Sequence, residues 1–231
     1  MTTLVFVHGA CVRDADWWWS RMTEPLAGLG VPTVAVALPS CGETGGALGD
    51  LYDDARACHQ AIAAAVDGPV VLCGHSYGGM IITEAGADDR VSQLLYVTSV
   101  MPDAGQSQAD IVGTEPAPWL RPGEDGTVGV DPGMVREFFL QDCDGITNEQ
   151  ALSRLTRQSL TPFTQAPREI AWRQKPATYF VCTEDLATPP EAQRRRIRAD
   201  TRQVEFGAGH HPFLSRPDEF AASIVAAIDR E

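Results

Sequence analysis

One short motif restricts the fold of this chain more than any other part of its sequence. The run from Gly74 to Gly78 (Gly-His-Ser-Tyr-Gly) follows a continuous apolar stretch at residues 69–73 and overlaps the start of a segment with helical character, residues 77–87. The two glycines would let a strand and a helix approach closely, because glycine carries no Cβ. A serine at such a sharp turn has a strained backbone and exposes its Oγ at the carboxyl edge of a parallel sheet. The motif therefore predicts an α/β chain.

Alternating strand and helix patterns extend this prediction over most of the 231 residues. Strands that alternate with helices of this length favour a doubly wound, mostly parallel sheet, and the unbroken apolar character of the third strand agrees, because both faces of such a sheet are covered. We place the N-cap of the first helix at Asp16 and its end at Gly30. The predicted strands are residues 4–7, 31–38, 69–73, 91–97, 177–182 and 203–206, and the predicted helices are residues 17–29, 51–66, 77–87, 190–198 and 218–228.

The alternating pattern is interrupted between residues 101 and 175. This stretch is rich in proline, glycine and acidic residues, and its clearest periodic pieces, residues 134–140 and 149–159, are helical. A long interruption without predicted strands inside an α/β chain is typical of a functional lid. We therefore predict a core formed by residues 1–100 and 176–231 and a mainly helical cap formed by residues 101–175.

Composition and charge exclude several classes of function. The formal net charge of −13 disfavours nucleic-acid binding, which needs a basic face. No stretch approaches the roughly 20 apolar residues that span a bilayer, and the N-terminus lacks the basic region of a signal peptide. The six cysteines show neither a CxxC pair nor Cys/His metal spacing. We expect a cytoplasmic protein with no membrane partner, no metal and no cofactor, and we leave a homodimer open as an alternative to a monomer.

Ser76 needs a base, because a serine hydroxyl is a weak nucleophile at neutral pH. Of the five histidines, His210 and His211 follow the last predicted strand in a glycine-rich loop. Pro212 restricts His211 to an extended backbone, whereas Gly209 gives the chain freedom just before His210, which favours His210 as the base. The preceding strand is followed by Asp185, our candidate for the acid that orients the histidine.

The assignment of the acid keeps an alternative. Asp185 could instead cap the next helix, in which case Asp103, after the fourth strand, is the second candidate for the acid.

A second motif, His8-Gly9-Ala10, follows the first strand. A loop of this kind supplies one backbone N–H for an oxyanion, and the residue after the nucleophile supplies the other. These donors would be Ala10 and Tyr77, with His8 supporting the loop.

The sequence resembles the methylesterase and hydroxynitrile lyase family of α/β hydrolases, which includes plant salicylate methyl esterases. The resemblance covers most of the core and rests on five segments: His8-Gly9-Ala10-Cys11 with the tryptophan-rich helix that follows, Gly74-His75-Ser76-Tyr77-Gly78-Gly79-Met80, Met101-Pro102-Asp103, Val181-Cys182-Thr183-Glu184-Asp185, and Gln193. It implies an α/β-hydrolase fold, a catalytic triad of Ser76, His210 and Asp185, and oxyanion donors at Ala10 and Tyr77.

The resemblance also implies the reaction, which is hydrolysis of a small to medium carboxylic ester through an acyl-enzyme. The lyase members of the family look to carry a threonine after the first-strand histidine and a lysine after the catalytic histidine. This chain has Gly9 and His211 at these positions, which disfavours cyanohydrin cleavage. Two other classes stay open: non-hydrolytic, cofactor-free chemistry on the same triad (acyl transfer, lactone handling or C–C cleavage), and ligand binding by a protein that retains the triad. We expect the substrate to contact five side chains: Cys11, Trp119, Phe138, Phe139 and His211.

Overall fold

A six-stranded parallel sheet forms the centre of the computed structural model, which describes residues 1–65, 68–113 and 117–228. The strands of the described residues are β1 (Thr3–Val7), β2 (Thr33–Val36), β3 (Val70–His75), β4 (Val91–Val97), β5 (Leu120–Pro122), β6 (Thr127–Val130), β7 (Gln158–Ser159), β8 (Ala177–Cys182) and β9 (Arg202–Phe206). The central sheet has the order β2-β1-β3-β4-β8-β9, and all its pairs are parallel. The predicted parallel sheet is confirmed.

Helices cover both faces of this sheet, as expected for a doubly wound fold. The helices are α1 (Ala15–Gly28), α2 (Leu51–Ala64), α3 (Gly78–Ala85), α4 (Gln108–Val112), α5 (Pro132–Phe138), α6 (Gly145–Leu152), α7 (Thr161–Thr164), α8 (Pro190–Arg196), α9 (Pro212–Ser215) and α10 (Pro217–Ile228). On one face, side chains of α2 and α3 bury Val5 and Leu72. On the other face, α1 and α10 bury Leu4, Phe6 and Val71.

The sheet order places a topological switch beside the serine motif. The chain passes from β1 to β2 on one side and then returns to β3 on the other side of β1. Ligands of open α/β sheets bind at the carboxyl ends of the strands that flank such a switch. The loops after β1 and β3, which carry His8-Gly9-Ala10 and Ser76, therefore meet at the position where this fold forms a site.

The segment between β4 and β8 contains α5 and α6, which correspond to the two helices predicted there, and also α4, α7 and strands that the sequence did not predict. Strands β5, β6 and β7 form a small antiparallel sheet. The predicted helix at residues 149–159 is α6, which begins and ends earlier, because Asp144 caps it by accepting the Thr147 N–H at 2.8 Å. Beyond α6, Thr156 N–H donates to Cys11 O at 2.9 Å, so the chain there pairs with the loop after β1 instead of continuing as a helix.

Two predicted ends in the first half of the chain were also wrong. The N-cap of α1 is Asp14 and not Asp16: Asp14 has a left-handed backbone (φ 69°), its Oδ1 accepts the Trp17 N–H at 3.3 Å, and an ion pair with Arg154 at 2.7 Å holds it in place. Strand β2 is shorter than residues 31–38, because Val31 N–H already bonds the carbonyl of Leu26 at the end of α1. The predicted end of the second helix, at Val66 and Asp67, lies outside the described residues.

None of the helices in the described part of the chain is both long and apolar enough to span a lipid bilayer.

Candidate active site

Ser76 lies in the sharp turn between β3 and α3, with a positive φ of 51°. Its own N–H donates to Val97 O on the neighbouring strand β4 at 3.1 Å, which fixes the turn to the sheet. A Cβ at Gly74 would lie 2.6 Å from Gly78 O, and a Cβ at Gly78 would lie 2.5 Å from Val7 O. Only glycine fits at either position, so the motif produces the strained turn that its spacing indicates.

His210 and Asp185 are in contact at the carboxyl edge of the sheet. His210 Nδ1 lies 2.8 Å from Asp185 Oδ2, and both side chains are buried. A carboxylate only accepts hydrogen bonds, so Nδ1 carries the proton in this pair and Nε2 is left as the acceptor. Asp103, the second candidate for the acid, lies instead in an ion pair with Arg173.

Asp185 accepts four further hydrogen bonds besides that of His210. Its Oδ1 accepts the backbone N–H groups of Ala187 and Thr188 at 2.9 and 2.8 Å. Its Oδ2 accepts the hydroxyl of Thr98 at 2.5 Å and the amide of Gln193 at 3.3 Å. Burial by itself would raise the pKa of Asp185, but the charge and hydrogen bond of His210 and these donors outweigh it, so the pKa of this carboxyl lies below its usual range. Asp185 is therefore an ionised group held in one orientation.

Ser76 and His210 line the same cavity, of about 550 Å³. In the described part of the chain no hydrogen bond joins Ser76 Oγ to His210. Hydrogen bonds between nucleophile and base are often long or poorly aligned before substrate binds. The backbone of His210 is held by His75, whose ring Nε2 lies 2.9 Å from His210 O.

His211 points away from Asp185, although it also lines the cavity. Its Nδ1 lies 2.9 Å from Phe139 O, and its ring packs against Trp18 and His75, with centroids 5.2 and 4.7 Å away. Burial, together with the nearby His210, lowers the pKa of His211 to about 3. His211 is thus a neutral ring at physiological pH, whereas the neighbouring His210 is the one that contacts the carboxylate.

Two backbone N–H groups close to Ser76 in the chain or the fold lack a partner among the described residues. Among the described residues, the N–H groups of Ala10 and Tyr77 donate no hydrogen bond. The next residue in the first loop, Cys11, has a positive φ of 59°, and its N–H donates to Gln158 Oε1 at 2.9 Å. The bond to Gln158 fixes the loop that carries Ala10; the role of the two N–H groups as oxyanion donors stays a prediction.

Sequence reasoning missed a buried hydrogen-bond network between the side chain of Gln158, which holds the first loop, and the side chain of Tyr77. Gln158 Nε2 donates to Ser40 Oγ at 2.9 Å, and the Ser40 and Tyr77 hydroxyls both donate to Asp54 Oδ2, at 2.5 and 2.7 Å. The network links β7 to the residue that follows Ser76. Burial raises the pKa of Asp54, although its hydrogen bonds oppose this shift. A signal was present: Asp54 is a charged residue one position before Ala55, on the apolar face of α2.

His8 supports the first loop, as the sequence predicts. Its ring Nε2 lies 2.6 Å from Glu43 Oε2, and its Nδ1 lies 2.8 Å from Gly9 O. Glu43 also accepts the N–H groups of Ala15 and Leu38, each at 2.8 Å. One buried carboxylate thus connects the loop to the start of α1 and the end of β2. Glu43 and Thr98 are further residues that sequence reasoning missed; Thr98 directly follows β4 and could have been found from its place at the same sheet edge.

Four of the five predicted substrate contacts line the cavity: Cys11, Trp119, Phe139 and His211. Phe138 is not among the residues that line the cavity. It packs on Trp119, which does line the cavity, with ring centroids 6.2 Å apart, so its contact with a substrate stays a prediction. The described residues contain no group of three or more His, Cys, Asp or Glu side chains that could hold a metal ion.

Comparison with known proteins assigns the family. Residues 4–223 match the model of the alpha/beta hydrolase family. The chain belongs to the α/β hydrolase family. It is 27% identical to alpha/beta hydrolase nvfD of Aspergillus novofumigatus over 93% of this chain and 92% of that protein. It is 24% identical to methylesterase 8 of Arabidopsis thaliana over 98% of this chain and 89% of that protein, which confirms the resemblance to the methylesterases.

Solved structures of α/β hydrolases agree with the fold. A pyrethroid hydrolase from Sphingobium faniae superposes with a TM-score of 0.87 at 25% identity, over 99% of this chain and 97% of that structure. The predicted α/β-hydrolase fold is confirmed, and so is the prediction of an enzyme, at the level of a family whose relatives are named hydrolases and methylesterases.

Proposed function

We propose that this protein hydrolyses small to medium carboxylic esters with Ser76 as nucleophile, His210 as general base and Asp185 as the acid that orients His210. The observation that carries the proposal is the contact between His210 Nδ1 and the buried Asp185 Oδ2, at 2.8 Å, beside a serine with a φ of 51°. This combination leaves His210 Nε2 as a proton acceptor in the cavity that exposes Ser76.

In the proposed reaction, Ser76 Oγ attacks the ester carbonyl carbon while His210 Nε2 takes the hydroxyl proton. The carbonyl oxygen becomes an oxyanion that accepts hydrogen bonds from the N–H groups of Ala10 and Tyr77. His210 then gives its proton to the departing alcohol, which leaves an acyl-enzyme on Ser76. A water molecule attacks the acyl carbon with His210 again as base, and the carboxylic acid leaves.

The charge changes of this reaction explain the surroundings of Asp185. The imidazolium of His210 forms in each half of the reaction, and an ionised carboxylate beside Nδ1 stabilises it. The hydrogen bonds from Thr98, Ala187 and Thr188 hold Asp185 in place, so it need not reorganise when the charge on His210 appears.

Steady-state kinetics on p-nitrophenyl butyrate test the proposal. Ser76→Ala should lower kcat on the order of 10⁴-fold or more and leave the folded state intact, because the methyl side chain fits the same turn. The control is Ser20→Ala, on the exposed side of α1. Turnover by Ser76→Ala at the rate of the unchanged protein would remove Ser76 from the reaction. Stoichiometric ester binding without turnover by the unchanged protein would favour the ligand-binding alternative.

The two adjacent histidines provide a second comparison. His210→Ala should abolish turnover, because it removes the group that contacts Asp185. His211→Ala should change kcat/KM only modestly, since His211 bonds the Phe139 carbonyl and contacts no member of the proposed triad by hydrogen bond. An inactive His211→Ala beside an active His210→Ala would shift the assignment by one residue.

A further inference from the structure

The wall of the active-site cavity is mainly apolar, with one permanent charge. Among the described residues that line it there is no Asp or Glu side chain, and Arg196 is the one Arg or Lys. A guanidinium stays protonated at every pH at which a protein is folded. A charged group in an apolar wall is costly unless something pairs with it, so the position of Arg196 calls for an explanation.

Arg196 has no partner within the described part of the protein. It is the last residue of α8 and is half-buried, and it makes no hydrogen bond or ion pair with any described residue. Arginines near it are occupied: Arg194 pairs with Glu191 and Glu205, and Arg198 donates to Met101 O at 2.8 Å. Burial lowers the pKa of Arg196, while the charge of Asp185 opposes this shift.

Asp185 does not need Arg196 as a partner. Its two oxygens already accept five hydrogen bonds, from His210, Thr98, Gln193 and the backbone N–H groups of Ala187 and Thr188. An ionised carboxylate offers about four lone-pair directions, so no acceptor position is left for the guanidinium. Because Arg196 lines the cavity and has no partner among the described residues, its guanidinium is available to a ligand there.

A second polar group lines the same cavity. Gln108, the first residue of α4 in the cap, has a buried side-chain Oε1 without a hydrogen-bond partner in the described structure. The side chain of Gln106, two residues before Gln108, contacts the chain just after α8, since Arg198 Nη2 donates to Gln106 Oε1 at 2.5 Å. In either orientation of its amide, Gln108 offers the ligand a polar contact from the cap side.

We propose that Arg196, assisted by Gln108, selects esters that carry a carboxylate group away from the scissile bond, such as monoesters of dicarboxylic acids. This inference rests on the proposed ester hydrolysis and adds the substrate class. A carboxylate matches the planar fork of a guanidinium, and in an apolar cavity such a pair is stronger than in water. The apolar lining, which includes Trp119 and Phe139, would contact the chain between the ester and the carboxylate.

The test compares acidic and neutral esters of equal length. One panel consists of monomethyl esters of linear dicarboxylic acids beside methyl esters of monocarboxylic acids with the same chain length. A second panel places the carboxylate on the alcohol side, with 4-acetoxybenzoate beside phenyl acetate. The measured quantity is the ratio of kcat/KM for the acidic ester to kcat/KM for the neutral one, in the unchanged protein, in Arg196→Gln and in Arg196→Lys.

We expect the unchanged protein to prefer the acidic ester in at least one panel. Arg196→Gln should lower that preference about 10- to 100-fold, the range expected for one hydrogen bond to a charged group, mainly through a higher KM. Arg196→Lys should restore part of it. The matched control is Arg195→Gln, which removes the same charge from an exposed neighbour and should leave the ratio unchanged.

Two results would overturn the inference. One is a ratio that Arg196→Gln leaves unchanged in both panels. The other is an equal fall in kcat for acidic and neutral esters, which would mean that Arg196 acts through Asp185 or through stability. Both results are distinguishable from failure of the proposed function. In either case the unchanged protein would still hydrolyse neutral esters, and Ser76→Ala would still abolish that activity.

Discussion

The buried ring of His211 makes a quantitative prediction about acid stability. His211 is 6% exposed, and burial lowers its pKa to about 3 from an ordinary value near 6.5. The unfolded chain therefore binds a proton on this residue between pH 6.5 and 3, and the folded protein does not. The contribution of the neutral His211 ring to the free energy of unfolding is complete above about pH 6.5 and is lost as the pH falls towards 3. Linkage over this range gives a loss of about 2 kcal/mol between pH 7.5 and pH 5 from His211 alone.

The perturbation is His211→Asn, which retains a donor for Phe139 O but cannot titrate. The variant should be less stable at pH 7.5, because its side chain no longer packs on Trp18 and His75. Its loss of stability between pH 7.5 and 5, however, should be about 2 kcal/mol smaller than that of the unchanged protein. Urea unfolding followed by tryptophan fluorescence measures both free energies at each pH.

The control for this experiment is Gln60→Asn, at an exposed residue of α2 that does not titrate, which should leave the pH dependence unchanged within about 0.3 kcal/mol. His75 is also buried with a lowered pKa and remains in both proteins, so the unchanged protein loses more stability than His211 alone explains. Equal losses of stability in His211→Asn and the unchanged protein would refute the view that His211 is buried as a neutral ring.

Two further predictions concern the residues that hold the site in place. Gln158→Leu removes the acceptor of the Cys11 N–H and loosens the loop that carries Ala10, so it should lower kcat about 10-fold or more. The control is Gln165→Leu, which also loses a bond to a backbone N–H but lies away from the site, and which should leave kcat unchanged. Asp185→Asn should lower kcat on the order of 10³-fold or more, and Asp103→Asn should not change it, in the same ester assay; the reverse result would return the orienting acid to Asp103.

The sequence predicted the sheet and the candidate triad because both depend on local signals. Continuous apolar runs identified the strands of the central sheet, and the spacing of Gly74, Ser76 and Gly78 identified the turn between β3 and α3. His210 and Asp185 could be paired because each follows a strand, and the carboxyl ends of parallel strands lie on one edge of the sheet. Strand order alone left Asp103, after β4, as a second candidate for the acid, and the family resemblance favoured Asp185.

The cap could not be predicted in the same way, because its structure depends on contacts between residues far apart in sequence. β7 has two residues and pairs with β6 about 30 positions earlier, and no periodicity can be read from so short a strand. The predicted helix at residues 149–159 ends early because Thr156 N–H bonds the carbonyl of Cys11, in the loop after β1. The contact of Gln158 with the same loop was missed for the same reason.

The central claim is that Ser76 is a nucleophile activated by His210. Reaction with a fluorophosphonate ester followed by peptide mass mapping tests it most directly, because this reagent phosphonylates only an activated serine. The account predicts one added phosphonyl group per chain, on the peptide that contains Ser76, and strongly reduced labelling in His210→Ala at unchanged fold. Labelling on a different residue, or equal labelling of Ser76 in His210→Ala, would contradict it.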